Sequence, residues 1–251
     1  MYLSICAICK NEERYIGDWI NYHHKIGVDH FFLYENDSTD KTWDAIKAFP
    51  KEVVTAYKLS GVRQQVVAYN NCVLQHRSGK VKARWLAFID IDEYIVPHTT
   101  NNLQLFLKDY ESFTALCAHW ILFGSNGHKE YQPHSVVERF TKCQQGVNDH
   151  VKSIVNPKLT GMYHTPHRFH TIGKTVDENK KELASLDPYP KGGTANKIQI
   201  NHYSVKSYEE CMYRKSYPRA DTGQQWDAKT FFEAHDRNER ENFRALELWK
   251  K

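Results

Sequence analysis

Up to residue 95 the chain alternates short apolar runs with stretches of helical periodicity, and only a few architectures accept that alternation. Leu3-Ser4-Ile5-Cys6-Ala7-Ile8 reads as a buried strand. Asn11 then caps a helix whose positions Tyr15, Ile16, Trp19, Ile20, His23 and Ile26 fall on one face before Gly27 ends it. His30-Phe31-Phe32-Leu33-Tyr34 is a second strand. The polar turn Glu35 to Asp40 leads to a short helix through Trp43, Ala45, Ile46 and Phe49, and Val53-Val54-Thr55-Ala56-Tyr57 makes a third strand. A helix over 64–76 precedes Trp85-Leu86-Ala87-Phe88-Ile89, a fourth strand. Each strand needs a helix to cover its faces, so the fold class is α/β: a Rossmann-like mixed, mostly parallel sheet flanked by helices. The 251 residues, 41% of them hydrophobic, suffice for one sizeable core.

After Pro97 the alternation weakens. A helix near 103–110 and a strand over 115–122 are followed by turn-rich sequence with Pro133, Pro157, Pro166, Pro188 and Gly192-Gly193. From Ser207 the chain reads as a C-terminal helical extension, broken at Pro218 and amphipathic again over 230–249. No stretch approaches the ~20 apolar residues of a membrane span, and Met1 leads straight into a strand without a basic leader. The expectation is a cytoplasmic protein with no transmembrane segment, open to peripheral contact with the inner face of a membrane. With 34 basic and 30 acidic residues the charge is +4, too mild to argue for nucleic acid. The six cysteines are scattered, so reduced thiols are expected; Cys6 and Cys9 form a C-x2-C pair that lacks the second half of a zinc site.

In open α/β sheets ligands sit at the carboxyl ends of the strands, where this chain carries Lys10-Asn11-Glu12, Glu35-Asn36-Asp37-Ser38 and Asp90-Ile91-Asp92. If the fourth strand continues through Asp92, Ile91 turns into the sheet and both carboxylates share a side. Two carboxylates on an open edge suit a hard divalent cation that takes its other ligands from substrate phosphates. Solvated acids at a strand end are the alternative.

Lys10-Asn11-Glu12-Glu13, the segment from Tyr34 to Asp40, Gln65 through Asn70, and the run from Trp85 to Tyr94 together resemble a family 2-like glycosyltransferase and glycosyltransferase family 92. Later pieces fall in that family's order: Trp120 to His128, Glu138-Arg139-Phe140, Lys152-Ser153-Ile154, and Asn201-His202-Tyr203-Ser204-Val205-Lys206-Ser207. The resemblance implies a GT-A domain over 1–225, with a nucleotide-sugar-binding half (1–97), an acceptor-side half (98–225) and a helical tail (226–251). It implies Mn2+ or Mg2+ as cofactor, a UDP-sugar donor and a saccharide or glycolipid acceptor. Asp92 would contact the metal, Asp90 the ribose or a metal-bound water, and His202 would complete the coordination; a core imidazole beside Tyr203 is the alternative for His202. Asp37 would contact the nucleobase with Asn11 and Glu12 nearby, and Gln65 and Asn70 would reach ribose or diphosphate unless they only solvate a helix surface.

An acceptor hydroxyl needs a general base. Asp221 and Glu138 are the candidates, with Glu93 a third; helix capping for Asp221 and an ion pair for Glu138 are the bland readings. Lys206, Arg214, Lys215 and Arg219 form a basic set for the diphosphate or an anionic acceptor, with a solvated helix face favoured for Arg214. His164, His167 and His170 have a spacing that a turn could gather around a metal, and Trp120, Phe123 and His128 are candidate sugar-stacking residues. The expected activity is inverting transfer of a hexose, galactose by the family resemblance, in cell-surface polysaccharide or lipopolysaccharide synthesis. A non-catalytic nucleotide- or carbohydrate-binding module is the alternative. A pyrophosphorylase would need a glycine-rich basic loop where Cys9-Lys10-Asn11-Glu12 stands.

Overall fold

The structure, a computed structural model, describes residues 1–217 and 223–251. In chain order its elements are β1 (Leu3–Cys9), α1 (Ile16–Lys25), β2 (His30–Asn36), α2 (Thr42–Lys47), β3 (Val54–Leu59), α3 (Gln65–Arg77), β4 (Trp85–Phe88) and β5 (Glu93–Pro97). Then come α4 (Leu103–Lys108), β6 (Ala115–Leu122), α5 (Val136–Arg139), β7 (Lys142–Cys143), β8 (Asn148–Val155), β9 (Thr160–Tyr163), β10 (Phe169–Thr171) and β11 (Thr175–Val176). The chain closes with β12 (Ile198–His202), α6 (Tyr208–Lys215), α7 (Ala228–His235), β13 (Arg240–Glu241) and α8 (Arg244–Lys250).

Nine strands form one sheet in the order β3-β2-β1-β4-β8-β6-β12-β5, with β11 added beside β6. The first four are parallel, β8 runs against both β4 and β6, and β12 is parallel to β6 but antiparallel to β5. The expected mixed, mostly parallel α/β sheet is therefore what forms. Period-2 alternation splits its side chains between two cores. Leu3, Ile5 and Ala7 of β1, Phe31 and Leu33 of β2, and Trp85 and Ala87 of β4 face α1, where Ile16, Trp19 and Ile20 meet them. Cys6, Ile8, Phe32, Tyr34, Leu86 and Phe88 face α3, meeting Ala68, Tyr69, Cys72 and Val73. Burial on both faces is why these strands read as unbroken apolar runs.

The local readings need three corrections. Strand β4 stops at Phe88, so Asp90 and Asp92 lie in the turn to β5, closed by the Glu93 amide on the Asp90 carbonyl at 3.0 Å. Helix α1 begins at Ile16, not after Asn11: the Glu12 carbonyl takes the Tyr15 and Ile16 amides, while Asn11, at φ +56°, accepts the Thr39 amide through Oδ1 at 2.8 Å. The cysteines agree with expectation: Cys6 and Cys9 are buried free thiols on opposite faces of β1. The stretch read as one long C-terminal helix is α7, β13 and α8. It is tied into the body, with β13 on β7, Ala245 and Leu248 in the α1-side core, and Arg244 Nε donating to the Pro97 carbonyl at 3.1 Å. Among the described residues no helix is long and apolar enough to cross a membrane.

Candidate active site

The carboxyl ends of β1, β2, β4, β6 and β12 open on one edge of the sheet, and buried charged groups collect there. Asp92 Oδ2 stands 2.9 Å from Arg214 Nη1, an ion pair, and 3.4 Å from His202 Nε2. Arg214 also reaches Glu12 Oε1 at 3.5 Å. Burial opposes ionisation of Asp92, but Arg214 and then His202 outweigh it and hold the carboxyl well below its ordinary range. Glu12 moves the other way: burial raises it more than Arg214 and Lys206 lower it, and its Oε2 has no hydrogen-bond partner among the described residues. His202 Nδ1 is likewise buried and, among the described residues, unpartnered.

Asp90 belongs to a neighbouring knot. Lys152 Nζ, on β8, bonds Asp90 Oδ2 at 2.8 Å and lies 3.3 Å from Glu93 Oε2, while Gln65 Nε2 and the Tyr69 hydroxyl donate to Asp90 Oδ1. Glu93 is fully buried and its carboxyl is pushed well up by burial, only partly offset by Lys152. Sealed in this way, Glu93 cannot meet an acceptor hydroxyl.

Helix α6 brings the cations. Ser207 and Glu210 close a capping box at its start, and Glu210 is clamped by Arg139 through two bonds of 2.7 and 3.0 Å and by the Tyr15 hydroxyl at 2.8 Å. Lys206 enters this helix at φ +55°, buried, with Nζ 4.4 Å from the Tyr15 ring centre and, among the described residues, no carboxylate within ion-pair distance. Lys215 is buried against the rings of Phe231 (3.8 Å) and Trp226 (4.1 Å); burial, then Arg214, pulls its ammonium down to about 8. The Arg214 side chain, 32% exposed, points at carboxylates rather than forming a solvated face.

Other sequence candidates lie differently. Asp37 is at the end of β2, exposed, accepting the Gly61 amide at 2.7 Å, and that bond with one from Ser60 lowers its carboxyl. Asn70 accepts the Tyr163 amide at 2.8 Å and so ties α3 to β9. Glu138 completes a capping box with Ser135 and lines a hollow of about 270 Å3 with His128, Gln132, His134 and Arg139. That carboxylate is committed to starting α5, not to the charged cluster. Phe123 is core, packed on Tyr203. Of the three spaced histidines, His164 and His170 meet edge to face while His167 turns to the Val151 carbonyl, so they gather no metal. Asp221 and Arg219 lie outside the described residues. Two important groups are hard to place from the sequence. Arg214 reads as a solvated helix face and Lys152 as part of a motif, although a lone lysine inside the apolar strand Val151 to Val155 signals a buried ion pair.

Among the described residues no three His, Cys, Asp or Glu side chains converge as a ready metal cage. Asp92 Oδ2 and His202 Nε2, at 3.4 Å, are nonetheless spaced as neighbouring ligands of one hard cation, which draws its other ligands from phosphate and water. Asp90, with both oxygens already receiving donors, fits that task less well.

A sequence profile described as glycosyltransferase family 92 matches residues 2–245. A glycosyltransferase family 92 protein of Ricinus communis is 28% identical over 226 residues, covering 85% of this chain and 38% of its own length. One from Oryza sativa subsp. japonica is 27% identical over 175 residues, covering 67% and 29%. The chain thus spans about a third of the length of these relatives. Among solved structures, glucosyl-3-phosphoglycerate synthase from Mycobacterium tuberculosis in complex with Mn2+, UDP-glucose and phosphoglyceric acid aligns with 47% of this chain and 44% of its own, at 18% identity and a TM-score of 0.32.

Proposed function

The chain belongs to glycosyltransferase family 92, and from that membership and its charged sheet edge we propose that it moves a hexose from a UDP-sugar to a saccharide or glycolipid acceptor. In this reading the sugar is galactose, transfer inverts the anomeric carbon, and the product enters cell-surface polysaccharide or lipopolysaccharide. Residues 1–97 bind the donor and 98–225 the acceptor. The reaction takes place in the cytoplasm or against the inner face of the membrane.

One observation carries the proposal: Asp92, His202, Glu12, Arg214 and Lys206, from three separate stretches of chain, converge at the carboxyl edge of the sheet. Breaking the bond from the anomeric carbon to the diphosphate builds negative charge on the leaving group. A bound Mn2+ or Mg2+ supplies stabilisation of that charge. Asp92 and His202 would hold the cation. Lys206 and Lys215, buried without a carboxylate partner among the described residues, leave positive potential for the diphosphate, and Arg214 can exchange a carboxylate for a phosphate oxygen with the same fork geometry. Asp37 and Asn11, at the ends of β2 and β1, are assigned to the nucleoside. Asp221, a few residues beyond α6, is assigned as the base that takes the acceptor proton; Glu138 and Glu93 are both committed elsewhere.

The test is UDP release from a panel of UDP-sugars with Mn2+, with and without EDTA. Release from one sugar that EDTA abolishes supports the proposal. Tight UDP binding with no release against any acceptor would replace it with the non-catalytic module.

A further inference from the structure

Beside Asp92 the molecule builds a box of aromatic rings that shares only His202 with the charged cluster. Its base is Trp120 of β6. Strands β6 and β8 lose register between His119 and Trp120, an irregularity of the kind that re-aims a side chain. His150 of β8 stacks on Trp120 with 4.4 Å between centroids and 3° between planes; His202 lies 4.1 Å away and His167 5.2 Å, edge to face. Tyr189, on the loop before β12, meets His150 at 4.4 Å and keeps 43% of its surface exposed.

The polar atoms of the box are poised for a ligand. His150 Nδ1 bonds Asn148 Oδ1 at 2.7 Å, and His167 Nδ1 bonds the Val151 carbonyl at 2.9 Å. Both partners are acceptors, so in the neutral rings each Nδ1 carries the proton and each Nε2 is left as an acceptor. Trp120 Nε1, a donor, and His202 Nδ1 are buried with no partner among the described residues. Buried orphans of this kind call for a partner. The buried ammonium that faces His150 and His167, Lys152, is already bonded to Asp90 and Glu93, so among the described residues these two rings meet no unpaired ammonium.

Flat ring faces with a few hydrogen-bonding atoms at their rims match one ligand chemistry in particular. Ring C–H bonds pack on the aromatic faces, and hydroxyls, which both donate and accept, satisfy imidazole and indole nitrogens alike. We propose that Trp120, His150, His167 and Tyr189 form the subsite for an uncharged pyranose ring of the acceptor, held next to Asp92. Assigning that ring to the acceptor rests on the transfer reading above; recognition of the ring itself does not.

Saturation-transfer NMR on the full chain, with UDP and Mn2+ present, tests this with methyl galactoside, methyl glucoside and methyl mannoside against galacturonate. At least one neutral glycoside should receive saturation at its ring protons, and its affinity should fall about fivefold or more in both Tyr189→Ala and His150→Ala. Unchanged thermal midpoints establish that both variants fold. No contact with any neutral glycoside, equal contact in the variants, or preference for galacturonate would each overturn the proposal. UDP binding, measured calorimetrically on the same sample, separates the two claims. UDP bound with no glycoside contact removes the subsite and leaves the transfer reading; glycoside contact without UDP binding removes the transfer reading and with it the acceptor assignment.

Discussion

At the scale of single residues the site is a balance of buried charges, and each can be disturbed alone. Asp92→Asn keeps the shape but loses the charge that faces Arg214 and His202. Metal-stimulated UDP release should fall about 100-fold or more, with the circular dichroism spectrum retained. Arg139→Gln leaves Glu210 buried without its bidentate partner, and the urea midpoint should report a loss of about 3 kcal/mol. The same pair sets an acid limb. Burial alone would raise the Glu210 carboxyl, but the bonds from Arg139 and Ser207 bring it from 4.5 down to about 2. Its contribution is therefore complete above pH ~4.5 and is lost as pH falls from there toward 2, and Arg139→Gln should flatten stability across that window. Asp92, Glu12, His202 and Lys206 were legible in the sequence because each closes an apolar strand or follows one closely. Arg214 was not: an eight-residue helix with charges on several sides does not announce which of them faces inward. The geometry of Asp90 was also hidden, since strand alternation cannot foresee the Glu93 side chain capturing the Asp90 amide at 3.0 Å and turning the chain.

At the scale of elements, α6 is the part whose placement matters most to the charged edge. Ser207→Ala removes its N-cap, which costs about 1 kcal/mol. Because the helix carries Arg214 and Lys215, calorimetry should also show UDP binding weakened several-fold. The loop before β12 depends on a different anchor: the Glu178 carboxylate accepts the amides of Asn196, Lys197 and Ile198 at 2.7 to 2.9 Å. Glu178→Ala should accelerate hydrogen exchange over 196–200 by orders of magnitude while β1 and β2 remain protected. The long strands β1, β2 and β6 could be read from the sequence because burial on both faces makes them continuously apolar. The pairs β7, β11 and β13, two residues each, carry no such pattern; their pairing is set by partners distant in the chain.

At the scale of the molecule, the C-terminal segment is part of the fold rather than an attachment. Deleting 226–251 removes Ala245 and Leu248 from the core, the Arg244 bonds to the Pro97 and Thr100 carbonyls, and the rings over Lys215. The truncated chain should melt well below the full one in a thermal scan, and an unchanged midpoint would make the segment a true tail. The sheet order carries one more consequence. Strand β12 sits between β6 and β5, yet it is made late, after both neighbours and the long turn-rich stretch that follows them. A nascent chain leaving the ribosome must therefore hold two unsatisfied strand edges apart, a slow and aggregation-exposed arrangement. Only when 198–202 emerges can the gap close, and the residues that follow at once bring Lys206 and Arg214 beside His202, so synthesis halted before that point yields neither a finished sheet nor the charged edge.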